Sequence, residues 1–599
     1  MKKRIIVIVS IILAVLIAAL SLGLTLSKCS GKKIVQVVMV DNEKDKNNSD
    51  TDDSNDDTDD SDDDDDDDSF DGGNGFINDE IGTDLGYTSD KKYDLAELMG
   101  VATGDAYMLY SENTEPICDT FHGFTGTVYW PTEWMEGDEV NGRYYTEEMR
   151  KAELERLRDA GFTRIRLYIY STWMYTGDEQ NPWDWECERM QNVYEAIREI
   201  KSYGIEPMVV IGSSMAKAIY GGDDYTPDCY YLYPRLLDEN GEPILMFKWG
   251  QYFEQINYEL QWKRYGEFAV GLVSALKNHG VPIENYILFT EPHTDGGTPT
   301  GAHWEQHIGC FRAIDKALKE AGLRDEVKLM GPNQGNTLGN PGLAKIIHQE
   351  IPGVIDMYSS HYGFLGQTST DDMYDVNLKL YKGYMEFIHD YEIANEFWVD
   401  EFHACGDEYL AGDEGDYFLG TSNVNMMVAM MNAGISGFNA WQVIDQVWPF
   451  YYGSGGAFLN GAQVIGSARS LYENERPYPS WYAMTLVSRY MSGADHGKSY
   501  YTYAEDEVCG LHAATVELPE GGWAVVVVNM STEDRTFQMN FEKDLNTTLY
   551  RYMYKPGMEL TVRAKVITAD KGFKNVKGEL TDTLAGGAVA VYSTRQNFN

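Results

Sequence analysis

The sequence predicts an α/β chain: a (β/α)8 TIM barrel followed by an antiparallel β-sandwich. Three observations carry that expectation. Between about residues 120 and 490, strand-like apolar runs alternate with charged amphipathic helical runs, eight times over. No Gly-rich phosphate loop of a doubly wound sheet interrupts them. From about residue 493 the texture changes to short alternating strands separated by turn residues. The expected organisation is an N-terminal anchor or signal segment over 1–34, an acidic linker over 35–95, the barrel over 96–492 and the sandwich over 493–599.

The N-terminal stretch reads MKKR followed by IIVIVSIILAVLIAALSLGLTLS. Roughly twenty apolar residues are long enough to span a bilayer as a helix, and the basic flank places the N-terminus in the cytoplasm. A cleaved signal would need a small-x-small site, which is not evident, and a lipoprotein reading would use Cys29, which follows Lys28 rather than a small residue. On each reading the rest of the chain is expected outside the cell. Residues 41–80 hold twenty acids against two lysines, with seven consecutive Asp from Asp62 to Asp68. Such a block buries no core and repels itself, so a spacer is expected rather than a calcium loop, whose spaced ligands and terminal Glu are missing.

The formal charge is −47, and the chain stays acidic outside that block. This disfavours nucleic acid and polyanionic polymers and favours a neutral partner. Seven Cys are scattered with no C-x-x-C pair, which disfavours a cysteine-built zinc site.

The eight expected barrel strands are FHGFTGTVYW (121–130), GFTRIRLYIY (161–170), IEPMVVIG (205–212), NYILFTEPH (285–293), VKLMGPN (327–333), IDMYSSHY (355–362), EFWVDEFH (396–403) and ISGFNAWQ (435–442). Helical runs such as EEMRKAELERLRDA and MQNVYEAIREIKSYG precede several of them. The sandwich strands are expected within HAATVELPEGGWAVVVVNMSTEDRTFQMNF, LYRYMYKPG and GGAVAVYST.

Side chains alternate along a strand, so parity selects those facing the barrel axis. In the second strand Ile165, Leu167 and Ile169 share one face, expected against the helices, while Arg164, Arg166, Tyr168 and Tyr170 share the inward one. In the fourth, Ile287, Phe289, Glu291 and His293 share a face; in the seventh, Phe397, Val399, Glu401 and His403 do, with Asp400 on the opposite face as a structural residue. Two strands would thus end in an inward Glu at the C-terminal mouth, where barrel active sites lie. Buried carboxylates are costly unless paired, so two of them suggest a tuned acid and an ionised base or nucleophile.

This pattern resembles glycoside hydrolase clan A, the retaining barrel glycosidases, over roughly residues 120–599. It is nearest to family 39 and its neighbours with a C-terminal sandwich, and more distant from family 5. Thr290-Glu291-Pro292 stands where the clan has Asn-Glu-Pro, and VDEF, ending in Glu401 and Phe402, matches its nucleophile strand. The resemblance implies Glu291 as acid/base and Glu401 as nucleophile. It makes Arg166 of GFTRIR the residue that orients the nucleophile, and His361 and Tyr362 of SSHY its sixth-strand support. Trp441 of FNAWQ corresponds to the floor of the sugar site. Thr290, His293 and His403 complete the expected substrate contacts, and no cofactor is implied. Thr290 departs from the clan's Asn, which donates to the sugar 2-hydroxyl; Thr can donate too, but from a shorter arm.

The expected partner is an oligo- or polysaccharide. Thirteen Trp and forty-two Tyr concentrate partly in strand-to-helix loops such as YWPTEW (129–134), STWMY (171–175), NPWDWE (181–186) and DQVWPFYYG (445–453). Their rings suit sugar faces or simply pack the loops. Two alternatives stay open at this stage. Glu291/His293 and Glu401/His403, both Glu-x-His, could hold a divalent metal, although Pro292 disrupts the first pair's strand. A barrel without activity could serve as a polysaccharide-binding surface protein.

Overall fold

The computed structural model describes residues 106–111, 115–128, 147–212, 231–248, 251–288, 302–334, 342–361, 374–393, 396–402, 413–440, 479–504, 510–542, 544–558 and 567–596. All lie in one compact unit, Asn74–Asn599. The anchor and linker expected over 1–95 lie outside the described residues. Among the described residues, no helix is long and apolar enough to cross a membrane.

Two strands come first, β1 (Ala106–Ser111) and β2 (Cys118–Phe121). The barrel follows. Its strands are β3 (Gly123–Val128), β4 (Arg164–Tyr170), β5 (Glu206–Gly212), β8 (Asn285–Ile287), β9 (Lys328–Gln334), β10 (Met357–His361), β11 (Glu396–Phe402) and β12 (Gly437–Ala440). They close in sequence order into an eight-stranded barrel, all paired parallel, each falling within one of the eight expected runs except β9, which extends one residue past its run. A two-stranded hairpin, β6 (Leu245–Lys248) and β7 (Gln251–Glu254), is inserted between β5 and β8.

Helices alternate with these strands: α1 (Glu147–Asp159), α2 (Glu188–Ser202), α3 (Tyr258–Asn278), α4 (Ala302–Glu320), α5 (Gly342–Glu350), α6 (Tyr374–Asp390), α7 (Asp413–Ala433) and, after β12, α8 (Pro479–Tyr490). Helix α2 shows why they form. Met190, Val193, Tyr194, Ile197 and Ile200 recur at helical spacing and are all buried, and Gly204 leaves the helix at φ 76°, a conformation open to Gly. Helix α3 begins at an N-cap, Asn257, whose side chain accepts a hydrogen bond from the Leu260 N–H at 3.2 Å.

The barrel strands divide their side chains between two cores. Ile165, Leu167, Ile169, Val209 and Ile211 pack outward with residues of the helices. Tyr168, Met208, Val210, Ile287, Met330, Met357 and Trp398 form a separate cluster inside the barrel. The inward parity expected for β4 and for Ile287 therefore holds. On β11 the expected parity is inverted up to Val399. Phe397 and Val399 belong to the outer core, Phe397 stacked on Tyr384 of α6 at 5.0 Å, while Trp398 fills the barrel. Trp398 fits because the neighbouring β12 position is Gly437, where a Cβ would stand 2.4 Å from the indole ring. Its Nε1 donates to Glu396 Oε2 at 2.8 Å.

The sandwich draws on both ends of the described chain. One sheet has seven strands in the order β19-β18-β21-β16-β15-β13-β2, the other four in the order β14-β1-β17-β20. Their remaining members are β13 (Gly497–Tyr500), β14 (Thr502–Ala504), β15 (Leu511–Leu518), β16 (Gly522–Asn529), β17 (Arg535–Phe541), β18 (Thr547–Tyr554), β19 (Lys571–Val576), β20 (Glu579–Leu584) and β21 (Val589–Ser593). Strands β1 and β2 precede the barrel, yet β1 pairs with β14 and β17, and β2 with β13. The larger sheet is covered on both faces, which explains the continuous apolar run in β16. Val525 and Val527 enter the core between the sheets, whereas Ala524, Val526 and Val528 join the core shared with the barrel helices.

Candidate active site

Glu401 sits near the C-terminal end of β11, and a bulge puts it there. Ser360 pairs with Val399 and His361 with Glu401, so Asp400 is an extra residue relative to β10. On the other side Val399 pairs with Phe438 and Phe402 with Ala440, so Asp400 and Glu401 together face Asn439. The extra residue resets the alternation. Phe402 returns to the outer core with Phe124 and Phe438, and Glu401 turns to the inward Arg166. The expectation that Glu401 faces inward thus holds for a reason simple alternation does not contain. Asp400, expected on the opposite face, instead approaches the same imidazole as Glu401.

Arg166, from β4, is fully buried and donates from Nη1 to Glu401 Oε2 at 2.8 Å. Its guanidinium lies 5.1 Å from the centre of the Tyr168 ring. Burial opposes its charge, but the surrounding Tyr168, Glu401 and Asp400 outweigh this and hold its pKa above the usual arginine value. His361, at the end of β10, stands between the two carboxyls: Nε2 lies 3.3 Å from Asp400 Oδ1 and Nδ1 3.6 Å from Glu401 Oε2. Both basic groups address the same oxygen of Glu401, and Oε1 takes part in neither contact. Asp400 is wholly buried, and among the described residues neither of its oxygens accepts a hydrogen bond from another residue. Burial pushes its pKa up to about 6, reinforced by Glu401 and opposed by His361 and Arg166.

Further polar groups surround this cluster. Strand β9 also carries a bulge near its C-terminal end: Ser359 pairs with Pro332 and Ser360 with Gln334, which leaves Asn333 extra at φ 58°. Asn tolerates this left-handed backbone better than most residues. The Asn333 N–H donates to Ser359 Oγ at 3.1 Å, while both polar atoms of its buried side chain have no hydrogen-bond partner among the described residues. The same is true of Asn439 on β12 and of the Thr127 hydroxyl on β3. Phe438 and Phe124 pack outward, so alternation turns Asn439 and Thr127 to the axis. Buried polar atoms are nearly always paired, so this concentration at one barrel is unusual.

Of the sequence-predicted site residues, the structure therefore brings Arg166, His361 and Glu401 together. Glu291, Thr290, His293, Tyr362, His403 and Trp441 lie outside the described residues. So do the partners that a metal at Glu401 was expected to use. Among the described residues, no cluster of His, Cys, Asp and Glu suited to a metal ion is present. Sequence reasoning missed Thr127, Asn333, Asp400 and Asn439. Parity alone would have found Thr127 and Asn439, and Asn333 carries the weaker signal of an Asn directly after Gly-Pro. The loop aromatics that are described mostly pack: Trp173 is buried, and Trp183 and Trp185 lie 4.7 and 5.7 Å from Phe268 of α3.

No protein-family model and no curated protein matches the sequence. Solved structures of similar fold include a family 30 glycoside hydrolase endoxylanase from Clostridium papyrosolvens, at 12% identity and TM-score 0.51, covering 81% of this chain and 99% of that one. A conserved exported protein from Bacteroides fragilis matches at 12% identity and TM-score 0.55, with the same coverage of 81% and 99%. The catalytic domain of a family 30 xylanase C from Talaromyces cellulolyticus matches at 12% identity and TM-score 0.52, again covering 81% and 99%. The family numbers differ from the 39 and 5 that the sequence resemblance suggested. In fold, this chain is a closed barrel with a β-sandwich, similar to the family 30 glycoside hydrolases.

Proposed function

We propose that the protein is a retaining glycoside hydrolase that cleaves β-linked, neutral glycans by double displacement. The observation that carries this reading is the 2.8 Å contact from buried Arg166 to one oxygen of Glu401 at the end of the seventh barrel strand. The guanidinium fixes the plane of the carboxylate through Oε2, and Oε1, outside the Arg166 and His361 contacts, is the atom that attacks. In the first step Glu401 Oε1 bonds to the anomeric carbon while the glycosidic C–O bond breaks, and Glu291 gives its proton to the departing oxygen. In the second, Glu291 takes a proton from water, whose oxygen displaces Glu401 and restores both carboxyls. The unpaired amides of Asn333 and Asn439 and the Thr127 hydroxyl offer donors and acceptors for sugar hydroxyls, which a neutral polyol can satisfy.

The acidic surface charge supports an uncharged polymer, and the names of the similar structures make xylan the first substrate to try. The apolar segment after MKKR supports an enzyme tethered to the outer face of the membrane, with the Asp-rich stretch as spacer. The test is turnover of xylan, β-glucans and dye-releasing aryl β-glycosides by the full chain and by two variants. Glu401→Ala should abolish turnover on every substrate. Glu291→Ala should lose far more on poor leaving groups than on activated ones, with azide rescuing the latter. Near-normal rates in Glu401→Ala would sink the assignment.

A further inference from the structure

We propose that Asp400 is a positioning residue for the nucleophile: it holds the proton of His361 and so keeps the imidazole against Glu401 Oε2, leaving Oε1 free. The proposal rests on Glu401 being the nucleophile, and it adds a residue that parity assigned to the far side of the strand.

The geometry has three parts. The β11 bulge inserts Asp400 as the extra residue, so two consecutive carboxyls oppose the single residue Asn439. His361 lies between them, one ring nitrogen 3.3 Å from Asp400 Oδ1 and the other 3.6 Å from Glu401 Oε2. Arg166 meets Glu401 at the same Oε2. Among the described residues, the charged or titratable groups facing Asp400 are Arg166 from β4, His361 from β10 and Glu401 beside it. Strand β12 contributes the uncharged Asn439.

Charge counting follows. Arg166 balances one carboxylate, so a second buried carboxylate needs one proton, held either by Asp400 or by His361. With the proton on the imidazole, both ring nitrogens are donors, one toward each carboxyl. With Asp400 removed, the imidazolium loses its counter-charge and gives up its proton at lower pH. A neutral ring has only one N–H and then no longer supports Glu401 reliably. A wholly buried carboxyl set 3.3 Å from the His361 imidazole is hard to explain by packing, since an apolar side chain would serve better there.

The test uses the full chain and activated inactivators, dinitrophenyl 2-fluoro-β-xyloside and the corresponding β-glucoside. Their leaving group needs no proton, so the alkaline limb of the inactivation rate does not report Glu291. Wild type should be labelled on Glu401. Asp400→Asn should still be labelled there, but roughly tenfold or more slowly, with the alkaline limb moved about one pH unit lower. Asp400→Glu, which keeps a carboxyl, should recover most of both. Labelling with an alkaline limb unmoved in Asp400→Asn overturns this proposal alone. Failure of both probes to label Glu401 in the wild-type chain overturns the glycosidase reading, and this proposal with it.

Discussion

Asp400 carries opposite demands of stability and function. Its pKa stands at about 6 in the folded chain, against an ordinary value of 3.8, because burial disfavours the charged form. Between those values the native state holds a proton that the unfolded state has lost, so stability falls as pH rises from about 4 through about 6. Above that range the cost of the buried charge is fully present, on the order of 1–3 kcal/mol for a shift of this size. Asp400→Asn removes that cost. Its denaturation midpoint should match or exceed that of wild type at pH 7.5 and show no gain at pH 4, even as activity drops. Such a trade is expected where a group is kept for function. Chemical denaturation at both pH values checks it, and an equal loss at both would make the carboxyl an ordinary structural partner.

Among the elements, the bulged strands and the helix–sheet joint matter most. The Asn432 side chain, on α7, donates to the Thr502 and Ala513 carbonyls of the sandwich at 2.8 Å each and accepts from the Thr502 N–H at 2.9 Å. It is fully buried, so Asn432→Ala leaves several groups unsatisfied at once. A loss of about 2–4 kcal/mol is expected in denaturant unfolding, with little change in the rate per folded molecule. A variant within about 0.5 kcal/mol of wild type would show that the joint does not depend on this residue. The same elements mark where the sequence was legible. The eight barrel strands stood out as β-rich apolar runs, several of them preceded by an amphipathic helix, and the inward face of β4 followed from its strict Arg/Tyr alternation. β11 misled because Phe397, Trp398 and Val399 are all apolar, so alternation has no polar partner to fix its phase, and a bulge leaves no mark in composition. Strands β1 and β2 were missed as sandwich members because pairing across some 400 residues is a matter of topology, which local pattern does not encode.

At the scale of the whole molecule, the proposed function assigns the chemistry to the barrel and a membrane tether to the N-terminal segment. Fractionation of cells should place the full-length chain with the membrane and a chain starting near residue 90 in the soluble fraction; a soluble full-length chain would contradict the tether. The central claim of the proposed function concerns the stereochemistry at the anomeric carbon. A nucleophilic Glu401 and an acid/base Glu291 about 5–5.5 Å apart leave no room for water between nucleophile and anomeric carbon, whereas about 6.5–9.5 Å would admit one. Two displacements at one carbon return its original configuration. The direct measurement is early-time proton NMR of the sugar first released from a β-glycoside by the full chain. The β-anomer should appear first and then mutarotate; the α-anomer appearing first would mean that Glu401 activates water rather than attacking, and that the double-displacement account is wrong.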